Sequence, residues 1–184
     1  MAFASATAGE IVEQTIDVPV TVETADRTEV SRTIAVTVVR ETGPGRRPFL
    51  LLHHGRGVTA AERQAMGLKS YPANSRYFAS LGFVVLIPTR VGYGVSGGPD
   101  VEYTGPCRSK RFEAGTAAAV SQTRQVLRHA GTLPYVDPDV GIVVGESFGG
   151  LVAIAAAAAD IRGIAAAVNV AGGDGGDSRR RVDQ

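Results

Sequence analysis

The chain has 184 residues, of which 44% are hydrophobic and 20% are charged, a composition typical of one globular domain. Its formal net charge of +1 and isoelectric point near 7.9 give no electrostatic basis for binding nucleic acid or an anionic membrane. Charged residues interrupt the alanine-rich C-terminal half, so it lacks the ~20 apolar residues that a transmembrane helix requires. The single cysteine, Cys107, has no partner for an internal disulfide.

The two ends of the chain differ in character from the middle. We expect residues 1–10 to be a disordered N-terminal segment, residues 11–176 to form the folded domain and residues 177–184 to be a polar tail. The N-terminus has no apolar core long enough for an intact signal peptide, which predicts a cytoplasmic protein as sequenced. The small residues Ala4-Ser5-Ala6 fit a signal cleavage site, and export is the second reading if they are its remnant.

The first two predicted strands form a hairpin. Residues 11–22 contain alternating apolar positions, the pattern of a half-buried strand, and residues 33–40 form a second strand. The polar residues 23–29 connect them, and such a short connection predicts an antiparallel pair. Residues 42–48 are rich in glycine and proline and are a predicted loop.

Beyond the hairpin, apolar runs alternate with helical patterns. An unbroken apolar run is typical of a strand buried on both faces of a parallel sheet whose faces are covered by helices. The sequence therefore predicts an α/β fold with a mostly parallel, doubly wound sheet and helices on both faces. The predicted strands are residues 49–53, 83–87, 140–144 and 164–170, the predicted helices are residues 59–68, 74–81, 112–130 and 148–160, and residues 133–138 are a predicted loop.

Two of the predicted helices carry more detailed expectations. Asn74 is the predicted N-cap of the second helix, and Gly82 is predicted to end it. Periodicity places certain apolar side chains on shared helix faces. These are Tyr77, Phe78 and Leu81 on one face of the second helix, and Ala117, Val120, Val126 and Leu127 as inward positions of the long third helix.

One stretch organises the rest of the chain. The apolar run of residues 140–144 leads into Gly145-Glu146-Ser147-Phe148-Gly149, and an alanine-rich helix follows. This strand–turn–helix context of G-x-S-x-G presents a serine as a nucleophile at a strained bend. The glycines lack Cβ atoms, so that strand and helix can approach closely. We therefore predict that Ser147 is a nucleophile; the competing reading is an ordinary glycine-rich turn.

A second serine tests this interpretation within the same sequence. Ser96 lies in Gly94-Val95-Ser96-Gly97-Gly98, which begins like the same motif. Five residues separate it from the preceding strand, and no apolar helical period follows. The context of a nucleophile is missing, so we predict that Ser96 is a loop residue.

The ordered motifs resemble the α/β-hydrolase superfamily and, within it, the dienelactone-hydrolase-like serine esterases. Residues 53–57 (HHGRG) resemble the family's oxyanion loop, and residues 90–98 (RVGYGVSGG) its glycine-rich loop after the fourth strand. Residues 133–137 (LPYVD) lead into the fifth strand as in these enzymes, and residues 145–150 are the nucleophile elbow. The resemblance covers about residues 10–176. It implies an α/β-hydrolase fold, incomplete at its C-terminus because the chain ends soon after the sixth predicted strand.

The departures from the family pattern concern the other catalytic groups. Dienelactone hydrolases proper carry a cysteine at the elbow, whereas this chain has a serine. The superfamily's order is serine, then acid, then histidine, but all three histidines, His53, His54 and His129, precede Ser147. No general base or acid is therefore assigned. A recruited base at His53 or His54 stays open as a weak reading, and His129 is read as a surface residue.

Other residues receive roles from the resemblance. The backbone N–H groups of Phe148 and Arg56 are the expected oxyanion hole, and Glu146 is expected to brace the elbow. Asp174 and Asp177 follow the sixth strand, and a catalytic role for either is a weak expectation.

The resulting functional hypothesis is a serine hydrolase that cleaves a carboxylic ester or related acyl substrate through an acyl-enzyme on Ser147. Its acid and histidine are expected from a lost segment or a second chain. A small ester-like molecule is the expected partner, with no cofactor, no metal site, no nucleic acid and no membrane. The alternatives are an inactive fragment that binds a ligand or partner, and a short enzyme that has recruited His53 or His54. The sixth strand is expected to be an exposed apolar edge that self-associates, needs a further C-terminal segment or limits solubility.

Overall fold

A computed structural model describes residues 9–106 and 108–173. Within them, one six-stranded sheet is flanked by helices. The expectations for Ala4-Ser5-Ala6, Cys107, Asp174, Asp177 and the tail lie outside the described residues. The strands are β1 (Ile11–Glu23), β2 (Glu29–Glu41), β3 (Arg47–His53), β4 (Val84–Pro88), β5 (Val136–Glu146) and β6 (Ile164–Val170), and the helices are α1 (Ala60–Ala65), α2 (Pro72–Ser80), α3 (Phe112–Ala130) and α4 (Phe148–Ala158).

The strand order across the sheet is β1-β2-β4-β3-β5-β6. β1 pairs with β2, and β2 with β4, in antiparallel fashion, whereas the pairs β4–β3, β3–β5 and β5–β6 are parallel. The predicted hairpin and the mostly parallel sheet are both confirmed. Because β3 and β5 are neighbours, the loops after these two strands meet at one edge of the sheet, which is where the elbow lies.

Helices cover both faces of the central strands. Phe49 and Leu51 of β3 pack into the cluster that contains residues of α3 and α4. Leu50 and Leu52, which alternate with them, pack on the other face with Ala79 of α2. Burial on both faces explains the unbroken apolar run of β3, since each side chain contributes roughly 1.5–3 kcal/mol when it is removed from water.

Helix α2 departs from its prediction at both its start and its inward face. It begins at Pro72, because proline fits the first helical position, and Tyr71 rather than Asn74 precedes it. Tyr77 and Leu81 are 61% and 56% exposed, and the buried residues are Ser75 and Ala79. Of the predicted face, Phe78 alone packs partly buried against the core, beside Ala79, whereas Tyr77 and Leu81 stay exposed.

In the third helix the bounds of residues 112–130 are confirmed, and Val126 and Leu127 are buried. Ala117 is exposed, contrary to the prediction, and Val120 is partly buried against the core. Across the part of the chain that the structure describes, no helix combines the length and apolar character needed to cross a membrane.

Three strands begin earlier than predicted. β2 begins at Glu29, in the predicted connection 23–29, and β3 begins at Arg47, in the predicted loop 42–48. β5 begins at Val136, inside the predicted loop 133–138, because Val136 and Asp137 pair with Arg47 and Pro48 before a shift in register. β6 has the predicted bounds and lies at the edge of the sheet among the described residues, as expected for the sixth strand, although its apolar run alone suggests burial on both faces. Val168 and Val170 are 45% and 52% exposed, because β6 has a neighbour on one side alone among the described residues.

The two edges of the sheet differ in how they are protected. The β1 edge carries acidic residues and Pro19, which discourage pairing with another chain, whereas β6 has neither charge nor proline. We expect the isolated chain to associate through β6. Val168→Lys should shift light scattering toward a monomer, whereas Val95→Lys, at an exposed loop valine, should not. A stable, monodisperse wild-type monomer would contradict this expectation.

Candidate active site

Ser147 lies at the bend between β5 and α4. It is the one residue between Glu146, which ends the strand, and Phe148, which begins the helix. Its φ of 51° and ψ of −126° are strained for a residue with a Cβ, and such backbone strain is concentrated at functional sites. Its side chain is exposed. The predicted strand–turn–helix geometry of the elbow is therefore present.

The glycines on both sides of Ser147 allow the elbow to close. A Cβ on Gly145 would overlap the carbonyl oxygen of Gly149. A Cβ on Gly149 would lie 2.6 Å from the carbonyl oxygens of both His53 and His54. The start of α4 therefore packs directly against the end of β3. A side chain in place of Gly145 or Gly149 would prevent this close approach.

The segment after β6 supports the elbow from the other side. Ser147 donates its backbone N–H to the carbonyl oxygen of Val170 at 2.9 Å. Asn169 accepts from the Gly172 N–H at 2.7 Å, and this turn brings Gly172 against the Ser147 carbonyl. The bend is thus held by β6 as well as by β5 and α4.

A cleft of about 540 Å³ opens beside Ser147. Gly55 lies directly beside Ser147, because a Cβ on Gly55 would be 3.2 Å from the Ser147 Cβ. The predicted oxyanion residues Arg56 and Phe148 both line this cleft together with Ser147. The remaining lining residues are Val58, Ala60, Arg63, Asp100, Tyr103, Thr104, Gly105, Pro106, Lys110, Phe112 and Gly173.

The backbone N–H groups at the two predicted oxyanion positions, Arg56 and Phe148, make no hydrogen bond within the described part of the protein. For Phe148 this is expected, because the first N–H groups of a helix lack an intrahelical acceptor. The positive end of the helix dipole adds to the attraction for an anionic oxygen at that point.

A network of charged side chains lies beside the cleft. Its acidic residues, Asp100 and Glu102, were not predicted from the sequence. Asp100 accepts two hydrogen bonds from the Arg56 guanidinium, at 2.9 and 2.5 Å. Glu102 pairs with Arg90, Nε to Oε1 at 2.5 Å, and both side chains are fully buried. Burial is the largest influence and would lower the pKa of Arg90, but the charges of Glu102 and Tyr93 and the hydrogen bonds to them together raise that pKa.

The pKa of the Arg56 guanidinium reflects the same balance between burial and neighbouring charges. Burial is the largest influence and would lower this pKa, but the hydrogen bonds to Asp100 and the nearby charges of Tyr93, Asp100 and Glu102 together raise it above the ordinary value. Asp100 and Glu102 stand two residues apart in a loop without a motif of its own. Their partners are far away in sequence, so no local signal pointed to them.

Neither His53 nor His54 is placed to serve as a base. Both side chains are fully buried. His54 Nδ1 contacts the Gly55 carbonyl oxygen at 2.6 Å, and its Nε2 accepts from the Arg90 N–H at 3.3 Å. His53 Nε2 lies 3.2 Å from the Thr123 hydroxyl. Burial, and then the charge of Arg90, lower the pKa of both histidines well below the ordinary range.

His129 lies in the last turn of α3, which leads into the start of β5. Ser147 follows the other end of β5, so His129 and Ser147 lie at opposite ends of this strand. Among the described residues, the Ser147 hydroxyl has no hydrogen-bond partner, and the general base remains unassigned.

Glu146 and Ser96 are also placed by the structure. The Tyr71 hydroxyl donates to Glu146 at 2.7 Å, and burial and this carboxylate raise the pKa of Tyr71. This contact fits the expectation that Glu146 braces the elbow. Ser96 ends a short 3-10 turn, where its hydroxyl accepts from the Ala35 N–H at 3.0 Å and donates to the Thr89 carbonyl at 2.6 Å. The prediction that Ser96 is a loop residue is confirmed.

The sequence comparison identifies the class that this fold and elbow define. A family model described as the alpha/beta hydrolase family matches residues 50–184, which include the 53–57 loop and the elbow. Because the match takes in more than half of the chain, the chain belongs to the alpha/beta hydrolase family, a family of hydrolases. No curated protein matches the chain.

Solved structures share the fold at low sequence identity. A dienelactone hydrolase-like promiscuous phosphotriesterase from metagenomic libraries is 19% identical, with a TM-score of 0.61 over 90% of this chain and 61% of that one. An acetyl xylan esterase from Paenibacillus is 21% identical, with a TM-score of 0.53 over 84% and 52%. A hypothetical protein from Pseudomonas aeruginosa is 18% identical, with a TM-score of 0.55 over 86% and 42%. The chain therefore spans less than two-thirds of the length of each of them.

Proposed function

We propose that the protein is a serine hydrolase that cleaves a carboxylic ester or related acyl substrate through an acyl-enzyme on Ser147. The observation that carries this proposal is the exposed Ser147 at a positive φ, between a buried strand and a helix, at the wall of a cleft. A structural serine has no need of a strained backbone, whereas a nucleophile gains exposure from it. The acetyl xylan esterase and the phosphotriesterase that share the fold are compatible with this chemistry.

The proposed reaction has two stages. The Ser147 oxygen attacks the substrate carbonyl carbon while a histidine takes its proton, and the alcohol then leaves with that proton. Water next attacks the acyl-enzyme, and the acid product leaves as the Ser147 hydroxyl is restored. In both stages the N–H groups of Phe148 and Arg56 would hold the negative oxygen, and one such donor typically contributes about 2.7–4 kcal/mol.

The histidine and its acid are proposed to come from outside the described residues. All three histidines of the chain are described, and none of them is placed to take the Ser147 proton. The same observation favours a second candidate function, that of an inactive α/β-hydrolase module that binds a ligand or partner. The two candidates differ in whether Ser147 can react.

A fluorophosphonate probe with intact-mass analysis tests the proposal. We expect slow labelling of one serine per chain, because the elbow is present while the base is not, and faster labelling once the base and acid are supplied by added downstream sequence. No labelling under either condition would favour the inactive module. Fast labelling of the 184-residue chain alone would instead indicate that one of its own histidines acts as the base.

A further inference from the structure

The loop of residues 54–58 runs along the cleft, and arginines from outside it hold its backbone. Arg90 Nη1 donates to the His54 carbonyl oxygen at 2.9 Å, at the beginning of the loop. Arg63 Nη1 donates to the Val58 carbonyl oxygen at 3.1 Å, at its end. Both ends of the loop are therefore fixed by cations that bind backbone oxygens.

The middle of the loop is fixed through a side chain instead. The Arg56 guanidinium makes a two-point ion pair with Asp100, which restricts its direction as well as its distance. Asp100 Oδ2 also lies 3.4 Å from Arg63 Nη1, so one carboxylate links the middle of the loop to the group that holds its end.

Glu102 plays the equivalent part at the beginning of the loop. It pairs with Arg90 through both carboxylate oxygens, at 2.5 and 3.3 Å. The Tyr93 hydroxyl donates to Glu102 at 2.6 Å and accepts from Arg56 at 3.2 Å. The two ion pairs are thus joined into one network by Tyr93.

From this network we infer that Asp100 is a positioning residue for the oxyanion hole. By holding the Arg56 guanidinium it fixes the Arg56 peptide, whose N–H then faces the oxygen that becomes negative during attack by Ser147. The inference rests on the proposed function, in which that N–H is an oxyanion donor. Asp100 acts through Arg56 and does not touch the reacting atoms.

The Arg56–Asp100 ion pair differs from the Arg90–Glu102 pair in its exposure to solvent. The Arg56 and Asp100 side chains are each 18% exposed, in contrast to the fully buried Arg90 and Glu102. Solvent reaches the Arg56–Asp100 pair at the cleft wall, and water screens its charges more than those of the buried pair. Its two-point geometry fixes the direction of the Arg56 side chain at the wall of the cleft.

Backbone 15N NMR relaxation of the full chain tests the positioning directly. In Asp100→Asn we expect the order parameters of the N–H groups of residues 55–57 to fall from about 0.85 to below about 0.6, with those elsewhere unchanged, because a charge-assisted pair is replaced by a weaker one. The matched control is Asp139→Asn, which breaks the exposed pair with Arg162. Unchanged order parameters in that segment, or an equal fall throughout the protein, would overturn the inference.

The labelling rate of Ser147 is a second measurement, and it would not change if Asp100 only stabilised the fold. Loss of positioning should lower the maximal labelling rate of Ser147 about tenfold, while the half-saturating probe concentration and the final labelled fraction stay unchanged. Asp100→Glu should restore part of that rate. A lower final labelled fraction at an unchanged rate would indicate misfolding and count against the inference. If the wild-type chain takes up no probe with or without the added downstream sequence, the proposed function fails, and the order parameters alone decide the positioning role.

Discussion

Ser147→Ala is expected to abolish covalent labelling by a fluorophosphonate, a fall of more than roughly 10³-fold in rate, under any condition in which the wild-type chain is labelled. Alanine removes the only atom of residue 147 that can form the new bond. The fold should survive, because the Ser147 hydroxyl has no hydrogen-bond partner among residues 9–106 and 108–173. Alanine also keeps the same backbone strain, so the free energy of unfolding should change little.

Ser96→Ala is the matched control, since the same atom is removed from the other G-x-S sequence. The Ser96 hydroxyl makes two hydrogen bonds to backbone groups, so its loss should cost about 1 kcal/mol of stability. Labelling should be retained. The two variants thus have opposite expected effects, one on reactivity and the other on stability. Labelling of Ser147→Ala at the wild-type rate would remove Ser147 from the mechanism.

The elbow could be predicted from the sequence because its determinants are local. A β-branched strand, two glycines and an alanine-rich helix stand in one continuous stretch around Ser147, and each constrains its neighbours within a few residues. The same holds for the β1–β2 hairpin, whose alternation and short connection fix the pairing. Local consistency of this kind does not depend on the rest of the fold.

Features set by distant packing could not be predicted in this way. The pattern of Tyr77 and Leu81 suggests an inward helix face, but small residues of α2 meet the sheet instead. The Arg56–Asp100 pair joins residues 44 apart in sequence, and nothing near either residue indicates its partner. Likewise, the apolar composition of β6 suggests burial, whereas its burial depends on what packs beside it.

Loss of stability on mild acidification is the second large effect that the structure predicts. His53 and His54 are fully buried, and burial, followed by the charge of Arg90, lowers their pKa values well below the ordinary 6.5. Interactions with His53 and Lys69 lower the pKa of His54 further. Below pH 6.5 the unfolded chain therefore takes up a proton on each of these histidines that the folded chain does not.

Because the unfolded state then binds more protons, the free energy of unfolding falls as the pH is lowered from 6.5 toward the folded-state pKa values. The slope is up to about 1.4 kcal/mol per pH unit for each histidine, which amounts to about 2.7 kcal/mol for the pair between pH 7.5 and 5.5. Urea titrations at these two pH values would measure the difference. Far-ultraviolet circular dichroism is the suitable signal, since the chain contains no tryptophan.

His53→Leu isolates one of the two contributions. The leucine leaves no new unpaired group, because the Thr123 hydroxyl still donates to the Ala119 carbonyl at 2.9 Å. It also removes His53 Nδ1, a buried atom without a hydrogen-bond partner in the described part of the chain. About half of the pH dependence should disappear, while stability at pH 7.5 should be close to that of the wild type or higher. An undiminished loss between pH 7.5 and 5.5 in this variant would mean that His53 takes up its proton in the folded protein, and that the buried, neutral imidazole described above is wrong.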